Sequence, residues 1–251
     1  MILVLSGTKD GRMIIEKLIK NNFKVLATTA TEYGGSLIDQ DMNVTIISQR
    51  LTQSEIEEII DEKQIECVID ATHPYAKLIS ENAIRSCNNK AIPYIRYERS
   101  TTNINNVSRF KTYGETIEFL NTTQGNILLT IGSNNLKCFS AINRKDRIYA
   151  RVLPTIDAIS KCEEIGLIPK QILALQGPFS IELNKAIYKE YDIKHVVTKD
   201  SGTIGGTDEK AAAAIDIGVN IVLIERPEID YINAFNDIEA LISYVKETIK
   251  N

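Results

Sequence analysis

The sequence of 251 residues contains no tryptophan, two histidines and four cysteines. The cysteines are far apart, and no two of them form a C-x-x-C pair: they are Cys67, Cys87, Cys138 and Cys162. A zinc site or a disulfide framework needs closely spaced ligands or a recognisable cysteine pattern. We therefore expect no metal site, and we expect the cysteines to be small buried hydrophobic residues.

Long apolar stretches are also missing. No run approaches the roughly 20 apolar residues that a membrane-spanning helix needs. The chain begins directly in a short apolar stretch rather than in the basic and long apolar regions of a secretory signal. We expect a cytoplasmic protein with no membrane partner. The formal net charge of -4 disfavours nucleic acid as a partner, so an anionic ligand must be bound by a local group of residues.

The first stretch of the chain predicts a strand, a tight loop and a helix. Ile2 to Leu5 are continuously apolar, as in a buried parallel strand, and small and polar residues follow. The start of the next helix would stabilise a pyrophosphate, and Gly7 and Gly11 would let it approach the backbone. The spacing G-x-x-x-G lacks the third glycine of the dinucleotide fingerprint, so an ordinary strand–helix turn remains the alternative.

Threonines end the second predicted strand, where the adenosine ribose lies in a dinucleotide-binding fold. An Asp or Glu at this place normally binds the ribose 2′-hydroxyl, but here Glu32 comes a few residues after Thr29. This weakens the case for NAD and permits a 2′-phosphate. A helix cap is the alternative role for these threonines.

The fourth predicted strand, residues 67–71, is followed by Thr72 and His73. Pro74 is expected in the first turn of the next helix. Because ligands bind beyond the carboxyl ends of strands in open α/β sheets, Thr72 and His73 are candidate ligand contacts. A purely structural histidine is the alternative.

The alternation of strands and helices restarts near residue 126, after a Thr- and Asn-rich stretch. We expect one domain over residues 1–107 and a second over residues 108–251, each with a mostly parallel sheet. Polar residues beyond the strands of the second half should converge on one edge. They are Ser133, Gln176, Ser180, Lys199, Asp200, Ser201 and Gly202. Helix capping is the alternative for Ser180, and a solvated turn is the alternative for residues 199–202.

Several motifs occur along nearly the whole chain. They are Gly7-Thr8-Lys9-Asp10-Gly11-Arg12, Ala30-Thr31-Glu32-Tyr33-Gly34, Asp70-Ala71-Thr72-His73-Pro74-Tyr75-Ala76, Ala150-Arg151-Val152-Leu153-Pro154, Gln176-Gly177-Pro178-Phe179-Ser180 and Thr198-Lys199-Asp200-Ser201-Gly202, followed by Gly205-Gly206 and Glu209-Lys210. As a set in this order, they resemble the precorrin-6A reductase family, including its cobalt-precorrin-6A form. Asp10 stands where the family more often has Glu, and the carboxylate is kept.

The resemblance implies an α/β fold of two Rossmann-like domains with a tetrapyrrole bound in the cleft between them. It implies reduction of (cobalt-)precorrin-6A to (cobalt-)precorrin-6B in cobalamin biosynthesis. Hydride would pass from NADPH, or alternatively NADH, to one carbon of a ring double bond, and a proton would reach the neighbouring carbon. The protein's part is then mainly positioning.

The strand-end positions and the resemblance together give the candidate site residues. For the cofactor they are Gly7, Thr8, Asp10, Gly11, Arg12, Thr29, Thr31, Glu32, Thr72 and His73. For the substrate they are Ser133, Arg151, Gln176, Gly177, Phe179, Ser180, Lys199, Asp200, Ser201, Gly202 and Lys210, with Arg96 and Arg99 as further partners for acidic side arms. Asp200 and Tyr97 are candidate proton donors, with water as the alternative.

The residues by themselves leave two other functions open. One is a non-catalytic α/β module that binds a nucleotide or metabolite. The other is a two-domain transferase that uses a sugar nucleotide. The sequence makes no prediction of the oligomeric state.

Overall fold

The structure, a computed structural model, describes residues 1–98, 107–200 and 206–249. Its strands form two six-stranded sheets, and neighbouring strands are parallel in every described pair. The chain divides into two compact units. One unit comprises Met1–Ser100 and Pro227–Asn251, and the other comprises Thr101–Arg226.

The described elements follow the predicted alternation. The strands are β1 (Ile2–Leu5), β2 (Val25–Thr29), β3 (Val44–Ser48), β4 (Cys67–Asp70), β5 (Tyr94–Tyr97), β6 (Ser108–Phe110), β7 (Asn126–Leu129), β8 (Ile148–Val152), β9 (Ile172–Ala174), β10 (Ile193–Lys199), β11 (Asn220–Ile224) and β12 (Ala234–Phe235). The α-helices are α1 (Lys9–Lys20), α2 (Glu32–Ser36), α3 (Gln53–Lys63), α4 (Lys77–Lys90), α5 (Tyr113–Asn121), α6 (Ile156–Glu164), α7 (Ile181–Glu190), α8 (Thr207–Asp216) and α9 (Ile238–Thr248). Short 3-10 helices cover Ser133–Ala141, Lys145–Arg147 and Pro169–Gln171.

The sheet of the first unit has the order β3-β2-β1-β4-β5-β12. The direction in which successive strands are added reverses between β1 and β4, as in a Rossmann fold. Ile2 and Val4 belong to the hydrophobic core on one face of the sheet, and Leu3 and Leu5 belong to the core on the other face. A strand buried on both faces explains the uninterrupted apolar run.

The sheet of the second unit has the order β6-β11-β10-β7-β8-β9. Its direction of strand addition reverses between β7 and β10. The strand β6 comes first along the chain of this unit but pairs at the far edge with β11. Each sheet therefore has a central pair of strands at whose carboxyl ends a Rossmann-like fold places its ligand.

The C-terminal segment packs with the first unit and not with the domain predicted over residues 108–251. The short strand β12 pairs with β5, so that Phe235 lies opposite Tyr97. In α9, Leu241 and Val245 are buried in the same core as Ile14 of α1. A two-residue strand has too short a pattern to indicate its partner, so local sequence could not reveal this return.

Other differences from the prediction concern short segments. The helix predicted from Pro74 begins at Lys77, and Pro74 lies in a turn closed by a hydrogen bond from the Ala76 N–H to the His73 carbonyl (2.8 Å). The five-residue α2 and the 3-10 helix that starts at Ser133 were not predicted, because they are too short or too tight to show the 3.6-residue period.

The cysteines are free thiols; Cys138 is exposed, contrary to expectation, while Cys67, Cys87 and Cys162 are buried. Within the described ranges, no group of three or more His, Cys, Asp and Glu residues could hold a metal ion. Among the helices that the structure describes, none has both the length and the apolar character needed to cross a membrane.

Candidate functional site

The loop after β1 lies at the reversal point of the first sheet. Gly7 has a φ of +107°, and a Cβ placed on it would meet no heavy atom within 4 Å. The backbone at Gly7 therefore borders open space. The helix α1 begins at Lys9, so the positive end of its dipole lies beside that space. This is the geometry expected of a loop that binds a phosphate group.

Thr8 and Gly11 hold this loop in place. The buried hydroxyl of Thr8 accepts a hydrogen bond from the Gly11 N–H (3.0 Å) and donates one to the Ala71 carbonyl (2.8 Å). A Cβ on Gly11 would collide with the Ser6 side chain. Gly11 was predicted to let a ligand approach the backbone, but its missing side chain instead makes room for Ser6 as the helix packs on the strand end. Asp10 is likewise buried, with 2% of its surface exposed.

The end of β2 places the other predicted cofactor contacts. Thr29 is buried, and its hydroxyl donates to the Thr31 carbonyl (2.9 Å) and lies 3.2 Å from the Ser48 hydroxyl. Thr31 is exposed and accepts from the Gly34 N–H (3.1 Å), which caps α2. Glu32 is exposed in the first turn of α2. Thr31 and Glu32 are thus accessible to a ligand, whereas Thr29 shapes the strand end. Arg12, on α1, is half-buried.

A fully buried ion pair lies beneath the loop that follows β4. The Arg96 Nη1 atom is 2.8 Å from the Asp70 Oδ1 atom. Thr72 donates to this oxygen through its N–H (3.0 Å) and its hydroxyl (2.6 Å), and the Tyr94 hydroxyl donates to Asp70 Oδ2 (2.7 Å). Burial alone would raise the pKa of Asp70, but the Arg96 charge and these hydrogen bonds, with one from Ser80, lower it.

This buried pair changes the predicted role of Arg96. Arg96 was expected to meet acidic side arms of a substrate, but it has no exposed surface. Asp70 was not singled out, although its position was informative: it ends an apolar strand, opposite Arg96 of the neighbouring strand. Both charges together fix Thr72 at the reversal point. His73 is half-buried, and its Nδ1 atom accepts from the Tyr75 N–H (3.3 Å).

A pocket of about 150 Å³ lies within the second unit. It is lined by Arg151, Gly177, Pro178, Phe179, Asn184, Gly206 and Lys210. Four of these residues, namely Arg151, Gly177, Phe179 and Lys210, were predicted to bind the substrate. Asn184 was not predicted, because it lies inside α7 and not at the end of a strand, where site residues were expected.

The pocket is cationic and its side chains are held in place. The Arg151 guanidinium lies 4.6 Å from the centre of the Phe179 ring and donates to Asn184 Oδ1 (2.8 Å). Asn184 in turn donates to the Ser180 carbonyl (2.9 Å). The Lys210 ammonium donates to the Thr198 hydroxyl (3.1 Å). Burial, and to a smaller extent the Arg151 charge, lower the pKa of Lys210 to about 8, while the Glu209 charge acts in the opposite direction.

Ser133 and Lys199, two other predicted substrate residues, lie near the reversal point of the second sheet, whereas Gln176 and Ser180 follow its edge strand β9. Gly132, with a φ of +81° and open space around it, precedes Ser133 after β7, and Lys199 ends β10. Burial lowers the pKa of Lys199 to about 8. Gln176 and Ser180 are exposed, and Ser180 accepts from the Leu183 N–H (3.2 Å) as the cap of α7.

The candidate proton donors occupy different surroundings. Asp200 is buried, and its carbonyl and carboxylate accept from Arg226 at 2.9 and 3.5 Å. Tyr97 packs against the core of the first unit at the end of β5. Asp200 follows β10 at the reversal point of the second sheet, but its carboxylate is paired with Arg226. Arg99, Ser201 and Gly202 lie outside the described residues.

Comparison with known proteins decides between the functions that the sequence left open. Residues 1–246 match the family model described as Precorrin-6x reductase CbiJ/CobK. The chain belongs to this reductase family. The match covers both units and confirms the resemblance that the motifs indicated.

Individual members of the precorrin-6x reductase family agree over the same length. The cobalt-precorrin-6A reductase of Priestia megaterium is 37% identical over 247 residues, which are 96% of each chain. That of Methanocaldococcus jannaschii is 38% identical over 248 residues, or 97% of each chain. A solved structure of CobK precorrin-6A reductase matches with a TM-score of 0.80 at 22% identity and covers 98% of this chain and 96% of that one. This structural match supports the fold.

Proposed function

We propose that the protein reduces cobalt-precorrin-6A, or the metal-free precorrin-6A, to the corresponding precorrin-6B in cobalamin biosynthesis, with NADPH as the reductant. The observation that carries this proposal is membership of the precorrin-6x reductase family over residues 1–246. Relatives named cobalt-precorrin-6A reductase are 37% and 38% identical over nearly full length, which favours the cobalt-containing substrate.

A nicotinamide dinucleotide fits the first unit. The open backbone at Gly7, beside the start of α1, suits the pyrophosphate. Thr31 and Glu32 would contact the adenosine ribose, and Thr72 and His73 lie at the other side of the reversal point. NADPH is favoured over NADH because Glu32 follows the end of β2 instead of occupying it. When bound, the cofactor supplies a hydride equivalent.

A tetrapyrrole with several carboxylate side arms suits the second unit. Lys199, at the end of β10, and the pair of Arg151 and Lys210 in the pocket offer cations at or near the carboxyl edge of the sheet. These residues would orient the ring rather than react with it. Since Asp200 is paired with Arg226 and Tyr97 packs on the core, we propose water as the proton source.

The test is anaerobic turnover with purified protein. Each substrate form, cobalt-containing and metal-free, is mixed with NADPH or NADH, and the loss of the reduced-nicotinamide absorbance is followed while mass spectrometry monitors the ring. We expect cofactor consumption only when tetrapyrrole is present, one cofactor per ring, and a product heavier by two hydrogen atoms. Absence of consumption with both substrates and both cofactors would contradict the proposal.

A further inference from the structure

Thr72 uses both of its hydrogen-bond donors inside the first unit. Its N–H (3.0 Å) and its hydroxyl (2.6 Å) donate to the same oxygen of the buried Asp70 carboxylate. The hydroxyl also accepts from the Arg96 guanidinium (3.2 Å). A threonine has no other donor, so Thr72 can offer a ligand only an acceptor. Among the hydrogen bonds of the described residues, none ends on the Thr72 carbonyl, which leaves this oxygen available to a ligand that carries a donor.

The Asp70 carboxylate that holds Thr72 is itself held by buried groups. The Arg96 Nη1 atom lies 2.8 Å from the oxygen that Thr72 binds, and the Tyr94 hydroxyl donates to the other oxygen (2.7 Å). Asp70 and Arg96 have no exposed surface, and hydrogen bonds to ionised groups are short and strong. Two bonds from Thr72 to one fixed oxygen restrict both its peptide plane and its side-chain rotamer. The backbone of Thr72 is therefore held in one orientation.

The place of Thr72 in the fold indicates which part of a nicotinamide dinucleotide it would meet. In a Rossmann-like fold the dinucleotide lies across the reversal point, with one nucleotide half on each side. Thr31 follows β2, on the adenosine side of β1, and Thr72 follows β4, on the other side of β1. The nicotinamide half would therefore lie beside Thr72. The nicotinamide ring carries a single donor group, the amide nitrogen of its carboxamide.

We propose that the Thr72 carbonyl accepts a hydrogen bond from the carboxamide of the nicotinamide ring, and that Asp70, paired with Arg96, is the positioning residue that holds Thr72 for this contact. The proposal rests on the proposed function and makes it more specific. The carboxamide lies on one side of the ring, so binding it fixes the rotation of the ring about its bond to the ribose. This rotation decides which face of the ring can deliver a hydride.

The experiment is calorimetric titration with NADP+ and with its acetylpyridine analogue, in which a methyl group replaces the amide nitrogen of the carboxamide. The variants are Thr72→Val, which removes the hydroxyl at nearly constant volume, Thr72→Ser, which keeps the hydroxyl, and Asp70→Asn. The matched control is Thr116→Val in the second unit, since the buried Thr116 also donates a hydrogen bond, to the Thr112 carbonyl (2.9 Å).

We expect wild type to bind the analogue about three- to tenfold more weakly than NADP+, because the analogue lacks the donor for the Thr72 carbonyl. In Thr72→Val and Asp70→Asn, the affinity for NADP+ should fall to within about twofold of the affinity for the analogue. Thr72→Ser and the control should keep the wild-type preference. A purely structural defect would instead weaken both ligands equally and leave the preference unchanged.

Turnover separates this proposal from the proposed function. With tetrapyrrole and NADPH, kcat should fall at least about fivefold in Thr72→Val, while the KM for the tetrapyrrole stays within about twofold. If wild type turns over the tetrapyrrole but binds NADP+ and the analogue equally well, the carboxamide contact is wrong while the proposed function stands. If wild type prefers NADP+ and Thr72→Val loses that preference, but no tetrapyrrole is reduced with either nicotinamide, the contact stands and the proposed function fails.

Discussion

Gly7 and Gly132 hold corresponding places in the two units. Each follows the first strand of the central pair in its sheet, each has a positive φ, and neither would have an atom within 4 Å of an added Cβ. A side chain at either place would be strained by about 1–2 kcal/mol. Substitutions at Gly7 and Gly132 should therefore cause similar backbone strain. Comparing them distinguishes the effect of that strain from the effect of a side chain that fills the space for a ligand.

We expect Gly7→Val to weaken NADPH binding at least tenfold, because the side chain would occupy the open space beside the start of α1. Gly132→Val is the matched control, since it carries similar backbone strain in the other unit. Calorimetric titration with NADPH measures both. Equal losses in the two variants would show that the effect is strain alone and would remove the Gly7 loop from the cofactor site.

Gly11 differs from Gly7 although both belong to one motif. Because a Cβ on Gly11 would collide with Ser6, we expect Gly11→Ala to lower the free energy of unfolding by about 1–3 kcal/mol. Ser6→Gly should recover part of this loss in the double variant, which a double-mutant cycle by urea denaturation measures. Additive effects of the two changes would contradict the packing role.

The strands β4 and β5 place a buried ion pair, Asp70 and Arg96, inside the first unit. Tyr231, from the returning C-terminal segment, lies over the Arg96 guanidinium at 5.2 Å and stacks on Tyr94 at 6.4 Å between ring centres. Asn233 accepts the Arg96 N–H through its carbonyl (2.7 Å). The ion pair therefore connects two adjacent strands, the Thr72 loop and a segment from the other end of the chain.

We expect Asp70→Asn to lower the free energy of unfolding by about 3 kcal/mol, because it leaves the buried Arg96 charge with only the partly exposed Glu98 carboxylate, 2.8 Å away, as a counter-charge. The pKa of Asp70 is lowered in the folded protein. Its contribution is thus fully present above the unfolded pKa of about 3.9 and is lost as pH falls through the folded value.

Urea denaturation of wild type and Asp70→Asn at several pH values measures this dependence. The difference in stability should be constant from about pH 6 to pH 8 and should shrink below about pH 4. Surface-exposed Asp61→Asn, whose partner Lys90 is on the neighbouring helix, is the control, and we expect a change under about 1 kcal/mol. A difference for Asp70→Asn that persists unchanged in strong acid would argue against the ion pair as its cause.

The elements themselves were largely predictable from local sequence. The apolar run of β1, the Thr52 capping box that begins α3 and the helical period of α1 all depend on residues within a few positions of one another. The 3-10 helix after Gly132 and the short α2 lack such a period. The start of α4 was misplaced because Pro74 is compatible with both a turn and a first helical turn.

The whole molecule contains two six-stranded parallel sheets. In each of them one edge strand, β12 or β6, pairs with a strand that is distant from it along the chain. The strand β12 completes the first sheet after the chain has built the entire second unit. The first unit therefore requires both ends of the chain.

We expect Leu241→Ala to lower the free energy of unfolding of the first unit by about 2–5 kcal/mol, since Leu241 is fully buried in the core that α9 shares with α1. Ile232→Ala, in the same segment but 80% exposed, is the control and should change stability by less than about 0.5 kcal/mol. Limited proteolysis with mass spectrometry should locate the first new cleavages of Leu241→Ala in residues 1–98. New cleavages confined to residues 107–200 would contradict the assignment of α9 to the first unit.

By itself, the sequence determined the order of strands and helices, the parallel α/β class, the family and most of the residues that line the second-unit pocket. All of these features follow from residues close together in the sequence, from hydrophobic periodicity and from sequence motifs. Only the tertiary structure decided that Arg96 pairs with Asp70, that Gly11 makes room for Ser6, that Asn184 orients Arg151 and that the C-terminal segment completes the first sheet. The physical reason is that burial and pairing depend on distances in space, and residues far apart along the chain, such as Tyr94 and Tyr231, become neighbours only when the sheet has formed.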